Sequence, residues 1–251
     1  MKIISFLNIK GGVGKTVSTV NVAAELGMQG KKVLVIDLDP QSNTTKHFRM
    51  YDSKIKGSYE VLLGEDVSVQ ATSYKGVWII PGNIRLITSE AEILADTKRA
   101  RETRLKKWLK NKKENIFDYV LIDCPPSLGM ISTNALTASD YVIVPLKIDA
   151  FSLDGFEYLI SSIDSVREEF NSELKLLGVF VTMDRATKIN REIKEELNDE
   201  LGNLLFKNAI RENVDVIKST FESTPVVYYN KRANASKDYK ALVEEILCRL
   251  I

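Results

Sequence analysis

The sequence predicts an α/β protein: a single domain over 1–251 built on a doubly wound, mostly parallel sheet with helices on both faces. Three observations carry this. Short β-branched runs recur along the chain, and they are continuously apolar instead of alternating, as strands covered on both faces are. A longer amphipathic or polar segment follows each run, the rhythm of strand, crossover helix and parallel strand. The first run leads directly into a glycine-rich stretch, "NIKGGVGKTVST" (8–19), that opens a helix.

In order, the strands are expected at KIISFLNI (2–9), KVLVID (32–37), VWIIP (77–81), DYVLIDC (118–124), DYVIVPL (140–146) and LLGVFVTM (176–183), with a weaker one at LLFKNAI (204–210). Helices are expected between and after them, at 15–29, 89–112, 130–138, 153–170, 188–201 and 235–250. There is no internal repeat, low-complexity tract or Gly/Pro/Ser-rich linker, which is why one domain is the economical reading. Ligands of such sheets bind beyond the carboxyl ends of the strands, so the residues just after the first, second and fourth runs carry the most weight.

Composition narrows the function classes. With 44% hydrophobic and 27% charged residues, the 251-residue chain is ordinary for a soluble globular protein. A formal net charge of +1 gives no whole-chain attraction to a polyanion, so any nucleic-acid surface must be a local patch. The two cysteines, Cys124 and Cys248, form no C-x-x-C pair and read as buried or half-buried thiols in a reducing compartment. The N-terminus is too short for a signal h-region, and no apolar run approaches the roughly 20 residues that span a bilayer. A cytoplasmic location is expected.

The glycine-rich stretch has the context of a phosphate loop, because backbone N–H groups and a helix N-terminus converge there on one anion. Gly11, Gly12 and Gly14 let the backbone wrap closely around phosphates, Lys15 neutralises them, and the Thr16 hydroxyl suits Mg2+. A glycine-rich helix cap would explain the glycines but not the Gly-Lys-Thr ending. The common template asks for glycine where Ile9 stands, and a second lysine, Lys10, precedes the glycine pair.

Carboxylates follow at the matching end of the sheet. Asp123 closes a continuous apolar strand, where a charge needs a partner; a Mg2+ ion reached through a water would supply one. Asp37 and Asp39 lie two residues apart at the end of the second run, a spacing that lets both face its mouth. Any one of them alone would read equally well as a polar residue that ends a strand.

At this point the chain resembles a known family. K-G-G-x-x-[GA]-K-[ST] is the deviant Walker A loop of the ParA/MinD group of P-loop ATPases, and "VLVIDLDPQSN", "LIDCPPS", "NALTASDYVIVP" and "TPVVYY" extend the resemblance over nearly the whole chain. It implies ATP and Mg2+ as cofactors and nucleotide contacts from Gly11, Gly12, Val13, Gly14, Lys15, Thr16 and Val17, with Asn213 in the loop near the adenine. It implies metal contacts from Thr16, Asp39 and Asp123. Asp39 is expected to orient the attacking water, since an ordinary aspartate of pKa about 3.9 is a weak base at neutral pH, and Asp37 to belong to the first switch segment. Lys10, otherwise a solvated loop lysine, is the family's trans-acting residue: it reaches the partner's nucleotide across a two-fold interface, so catalysis involves Lys10, Lys15 and Asp39 and ATP binding is linked to homodimerisation.

Within the group, iron–sulfur relatives place two cysteines differently from Cys124 and Cys248, and membrane-bound relatives end in a basic amphipathic helix, whereas this chain ends "KALVEEILCRLI" with Glu244 and Glu245 on its polar side. No membrane contact is expected. Because the first strand starts at residue 2, the resemblance narrows to a short ParA/Soj-type partition ATPase, nucleoid-associated, with a ParB-type centromere-binding partner and nonspecific DNA. The DNA candidates are Lys188, Arg191, Arg211, Lys218, Lys231, Arg232 and Lys237. Residues 175–251 carry 13 Lys or Arg against 12 Asp or Glu, and Glu212 and Asp215 stand where many relatives have arginines. A basic run at 98–113, with nine Lys or Arg and one acid, reads as a solvated helix face over a buried Leu105/Trp108/Leu109 stripe, or as a further DNA or partner surface. The alternative function is a related, MinD-like ATPase that positions a protein cargo or acts as a regulator, without a role in DNA segregation.

Overall fold

The structure is a computed structural model and describes residues 1–112, 116–149 and 155–251. Seven strands, β1 (Lys2–Phe6), β2 (Val33–Asp37), β3 (Gln70–Ala71), β4 (Val77–Ile80), β5 (Tyr119–Asp123), β6 (Tyr141–Lys147) and β7 (Lys175–Thr182), form one sheet in the order β3-β4-β2-β5-β1-β6-β7. Every pairing is parallel except that of β3 with β4. The continuous apolar runs have the expected cause. Along β2, Val33 and Val35 enter one buried cluster and Leu34 and Ile36 the other, so successive side chains feed two cores.

One core packs α3 (Ser58–Leu62), α4 (Leu86–Ala95), α5 (Arg104–Asn111), α6 (Met130–Ala138), α7 (Phe156–Glu169) and α8 (Lys188–Leu201) against the sheet. The opposite core packs α1 (Lys15–Met28), α10 (Val226–Tyr229) and α11 (Asn234–Arg249). Among the described residues there are two further short helices, α2 (Asn43–His47) and α9 (Val214–Phe221), and a 3-10 turn at Gly202–Leu204. The doubly wound fold is therefore as expected.

Several local expectations are corrected. The single helix expected at 89–112 is two. Asp96 ends α4, accepting the Lys98 N–H at 2.9 Å and pairing with Arg99 and Arg104, and α5 begins anew at Arg104. Part of the basic run is thus structural: Arg104 is buried and donates to Leu62 O and Ile93 O, while Leu105, Trp108 and Leu109 form the expected buried stripe. Lys113, at the end of that run, and the first residues of the helix expected at 153–170 lie outside the described residues.

The weak strand at 204–210 does not form. The chain makes isolated bridges at Val179–Leu205 and Asp184–Arg211, and the N–H groups of Phe206 and Ile210 reach β7, but the Asn208 N–H that a ladder would need between them is taken, with that of Lys207, by the Glu245 carboxylate. β1 stops at Phe6 instead of reaching Ile9, since Asn8 binds Pro145 O through Nδ2 and the Lys10 N–H through Oδ1, turning the backbone into the loop. Cys124 is buried, but Cys248 is exposed on the outer face of α11.

Candidate nucleotide and metal site

The loop between β1 and α1 is built to hold an anion. Gly12 and Gly14 have φ of +72° and +84°, left-handed backbone that only glycine adopts without cost, and Gly14 caps α1 with no side chain over its first N–H groups. No acid stands in the first turn of α1, so the positive end of the helix is left for an incoming phosphate. From below, Thr182 at the end of β7 donates its hydroxyl to Val13 O at 2.9 Å and fixes the loop's height.

The two lysines take different places. Lys15 is buried and donates to Lys10 O at 3.0 Å. Burial holds its ammonium below the ordinary lysine range, and the carboxylates of Asp123 and Asp39 pull it back up. Lys10 instead pairs with Asp149 beyond β6, its side chain 33% exposed.

Asp37 and Asp123 are partners in the β2–β5 register, both fully buried. Burial raises both carboxyls, and Asp123 pushes Asp37 further up. Hydroxyls answer this. Asp37 Oδ2 accepts the Thr45 hydroxyl at 2.6 Å and the Thr45 N–H at 2.9 Å, and Asp37 Oδ1 accepts the Asp39 N–H at 3.2 Å. Asp123 Oδ2 accepts Thr16 at 2.8 Å and Thr44 at 2.7 Å, while Asp123 Oδ1 is buried with no partner among the described residues. Asp39, just past the strand, is 8% exposed and takes the Gln41 N–H at 2.8 Å.

That orphaned oxygen is the test for a divalent cation. A hard cation that keeps most of its waters needs one or two carboxylates and a hydroxyl from the protein, which Asp123, Thr16 and Asp39 offer. Among the described residues no group of three or more His, Cys, Asp and Glu is placed to hold a metal by itself.

Beside the loop is a cavity of about 160 Å³ lined by Gly14, Val17, Met183, Ile210, Asn213 and Val216 among others. It brings Val17 and Asn213 together, as expected of a base-binding slot. Asn213 caps α9 through the Asp215 N–H at 2.8 Å. A larger, mostly apolar hollow of about 430 Å³ around Trp78 and Trp108 lies at the other end of the strands.

The DNA candidates are scattered. Lys188 and Arg191 stand exposed on α8, Lys218 on α9, Lys231 and Arg232 in the turn before α11, and Lys237 on α11. Lys188 pairs with Glu192, and Arg211 is committed to Asp238, with Nη2–Oδ1 at 2.6 Å and Nε–Oδ2 at 3.0 Å. The substituted acids are engaged too: Glu212 is forked by Arg185 at 2.6 and 2.8 Å, and Asp215 accepts from Asn230 at 3.0 Å.

Sequence reasoning missed Thr44, Thr45, Thr182 and Tyr239, whose hydroxyl meets Ser18 Oγ at 3.2 Å and ties α11 to α1. The threonine pair directly after "DPQSN" was the available signal for the first two.

A glycine loop at a helix N-terminus, a buried lysine on that loop and a strand-ending aspartate bonded to the following threonine define a P-loop nucleotide-binding α/β protein. The family described as "AAA domain" matches residues 1–176. The chain is 35% identical over 250 residues to the sporulation initiation inhibitor protein Soj of Bacillus subtilis, covering 98% of each, and 34% identical to the chromosome partitioning protein ParA of Caulobacter vibrioides, covering 99% of this chain and 95% of that one. Its fold is similar to that of cobyrinic acid a,c-diamide synthase from Mycobacterium smegmatis solved with an ATP analog and magnesium, with a TM-score of 0.87 at 29% identity over 100% of this chain and 95% of that one. The chain belongs to the Soj/ParA family of P-loop ATPases.

Proposed function

We propose that the protein is a Mg2+-dependent partition ATPase of low turnover, acting as one unit over 1–251, that dimerises on ATP, binds DNA without sequence preference and works with a ParB-type partner on the nucleoid. The observation that carries this reading is the division of labour between the two lysines. Lys15 is folded against its own loop, whereas Lys10 is paired at the surface with Asp149, where a second subunit has access to it.

Gly11 to Val17 bind the phosphates, Lys15 neutralises them, and Val17 and Asn213 flank the base. Thr16, Asp39 and Asp123 hold Mg2+, which when bound neutralises charge developing on the phosphate oxygens. Asp39 orients the attacking water by accepting its hydrogen bond. Lys10 crosses to the partner's nucleotide in the manner of an arginine finger.

A second reading, placement of a protein cargo by the same ATP-driven dimer, is favoured by Arg211 being spent on Asp238. A binding assay on random-sequence duplex DNA with ATP, ADP or no nucleotide decides between them. Binding with ATP alone supports DNA partition; equal or absent binding in all three arms removes DNA from the account and leaves the cargo reading.

A further inference from the structure

Two neighbouring threonines tie one short helix to two buried carboxylates. Thr45 holds Asp37 through both its hydroxyl and its N–H, and Thr44, one residue earlier in α2, donates to Asp123 Oδ2 at 2.7 Å. Thr16 donates to the same oxygen at 2.8 Å. With Oδ2 taken by two hydroxyls, the only oxygen of Asp123 left to serve a metal or a metal-bound water is Oδ1, which is buried and unpartnered among the described residues.

A carboxylate at a strand end rotates about its last bond unless something selects one orientation. Thr16 contributes to that selection, since a hydroxyl that gives a lone pair to a metal still donates its proton to Oδ2, but in the proposed site it answers to two partners at once. Thr44 is fully buried, and among the described residues its hydroxyl bonds to Asp123. Its backbone is held in turn, with the Phe48 N–H on Thr44 O at 3.1 Å and the Thr45 N–H on Asp37.

We propose that Thr44 is a positioning residue for the divalent cation: it orients Asp123 so that Oδ1 faces the metal, and it makes the order of α2 depend on whether the metal is bound. This rests on the nucleotide–Mg2+ reading of the site. Partners that orient a metal-binding group are worth 10- to 100-fold in metal affinity when removed.

The test is calorimetric titration of ADP into the full chain, in EDTA and in excess Mg2+, for wild type, Thr44→Val and Thr44→Ser. In wild type Mg2+ tightens ADP binding. Thr44→Val, which keeps the shape and loses the donor, is expected to forfeit about tenfold of that gain with its EDTA affinity unchanged, and Thr44→Ser to retain the gain within about twofold. An undiminished gain in Thr44→Val, or equal losses in Val and Ser, overturns the proposal. Failure of wild type to bind ADP at all overturns the nucleotide reading instead. A readout on the wild type stands if Thr44→Val does not fold: amide exchange across 43–48 is expected to slow at least severalfold when Mg2+ joins ADP, and equal exchange with and without the metal overturns the proposal.

Discussion

At the scale of single residues, the site divides into groups whose role follows from local spacing and groups whose role exists only after folding. Gly12, Gly14, Lys15 and Thr16 were legible because a phosphate loop demands them at fixed offsets, and Asp123 because it closes a continuous apolar strand. Thr44 and Thr45 were not, because a hydroxyl becomes a carboxylate's partner only once five residues of helix fold back over the strand ends. The expectation for Asp37 also changes character: it sits in a closed set of bonds with Thr45 and Asp39, and the Thr45 hydroxyl accepts the Gly82 N–H at 2.8 Å. The sole histidine offers a test of this region. His47 is buried at the end of α2 with Nε2 donating to Thr224 O at 3.1 Å, and burial lowers its pKa. An unfolded histidine titrates near about 6.5, so between that pH and the lower folded value the unfolded chain takes up a proton that the folded one refuses. This contribution to stability is complete above about pH 6.5 and is lost as the pH falls toward the folded value. Thermal unfolding at pH 7.5 and 5.5 is expected to show a loss on acidification that is smaller in His47→Gln, whose amide still reaches Thr224; equal losses would contradict it.

At the scale of elements, long buried strands and amphipathic helices were readable from pattern, and the failures share one cause. Helix 89–112 looked continuous because its composition favours helix throughout, yet tertiary bonds broke it. The backbone N–H groups of Arg104 and Leu105 both turn to Asn134 Oδ1, at 2.9 and 3.3 Å, so a residue of α6 caps α5 from outside. No local pattern in 96–104 announces a cap that comes from thirty residues away. Removing it in Asn134→Ala is expected to destabilise the protein by about 1–2 kcal/mol in urea unfolding, with the m-value unchanged. The missing strand at 204–210 has the same origin, since Glu245 on α11 takes its backbone donors. The short helices α2, α3, α9 and α10 were missed because four to eight residues hold too little periodicity to read.

At the scale of the whole molecule, the doubly wound parallel sheet, the two cores and the placing of the phosphate loop at the end of the first strand followed from the sequence, because each strand's continuous apolar run implied two covered faces; the order of strands within the sheet did not. The DNA surface did not, since it depends on which cations remain unspent. Arg211 is neutralised by Asp238 while Glu212 is neutralised by Arg185, so the sequence's net balance near 211–215 misjudged both signs. If the exposed cations on α8, α9 and before α11 act on phosphates, DNA affinity in the ATP state falls steeply with salt and shows little sequence preference; a flat salt response would exclude a phosphate-contact mode. The central claim is narrower, that one nucleotide is shared between two subunits through Lys10. Light scattering of Lys10→Ala with ATP and Mg2+, beside wild type and with nucleotide binding measured on both, tests it most directly. Wild type is expected to be a dimer and Lys10→Ala a monomer that still binds ATP; a Lys10→Ala dimer indistinguishable from wild type would exclude a nucleotide shared through Lys10.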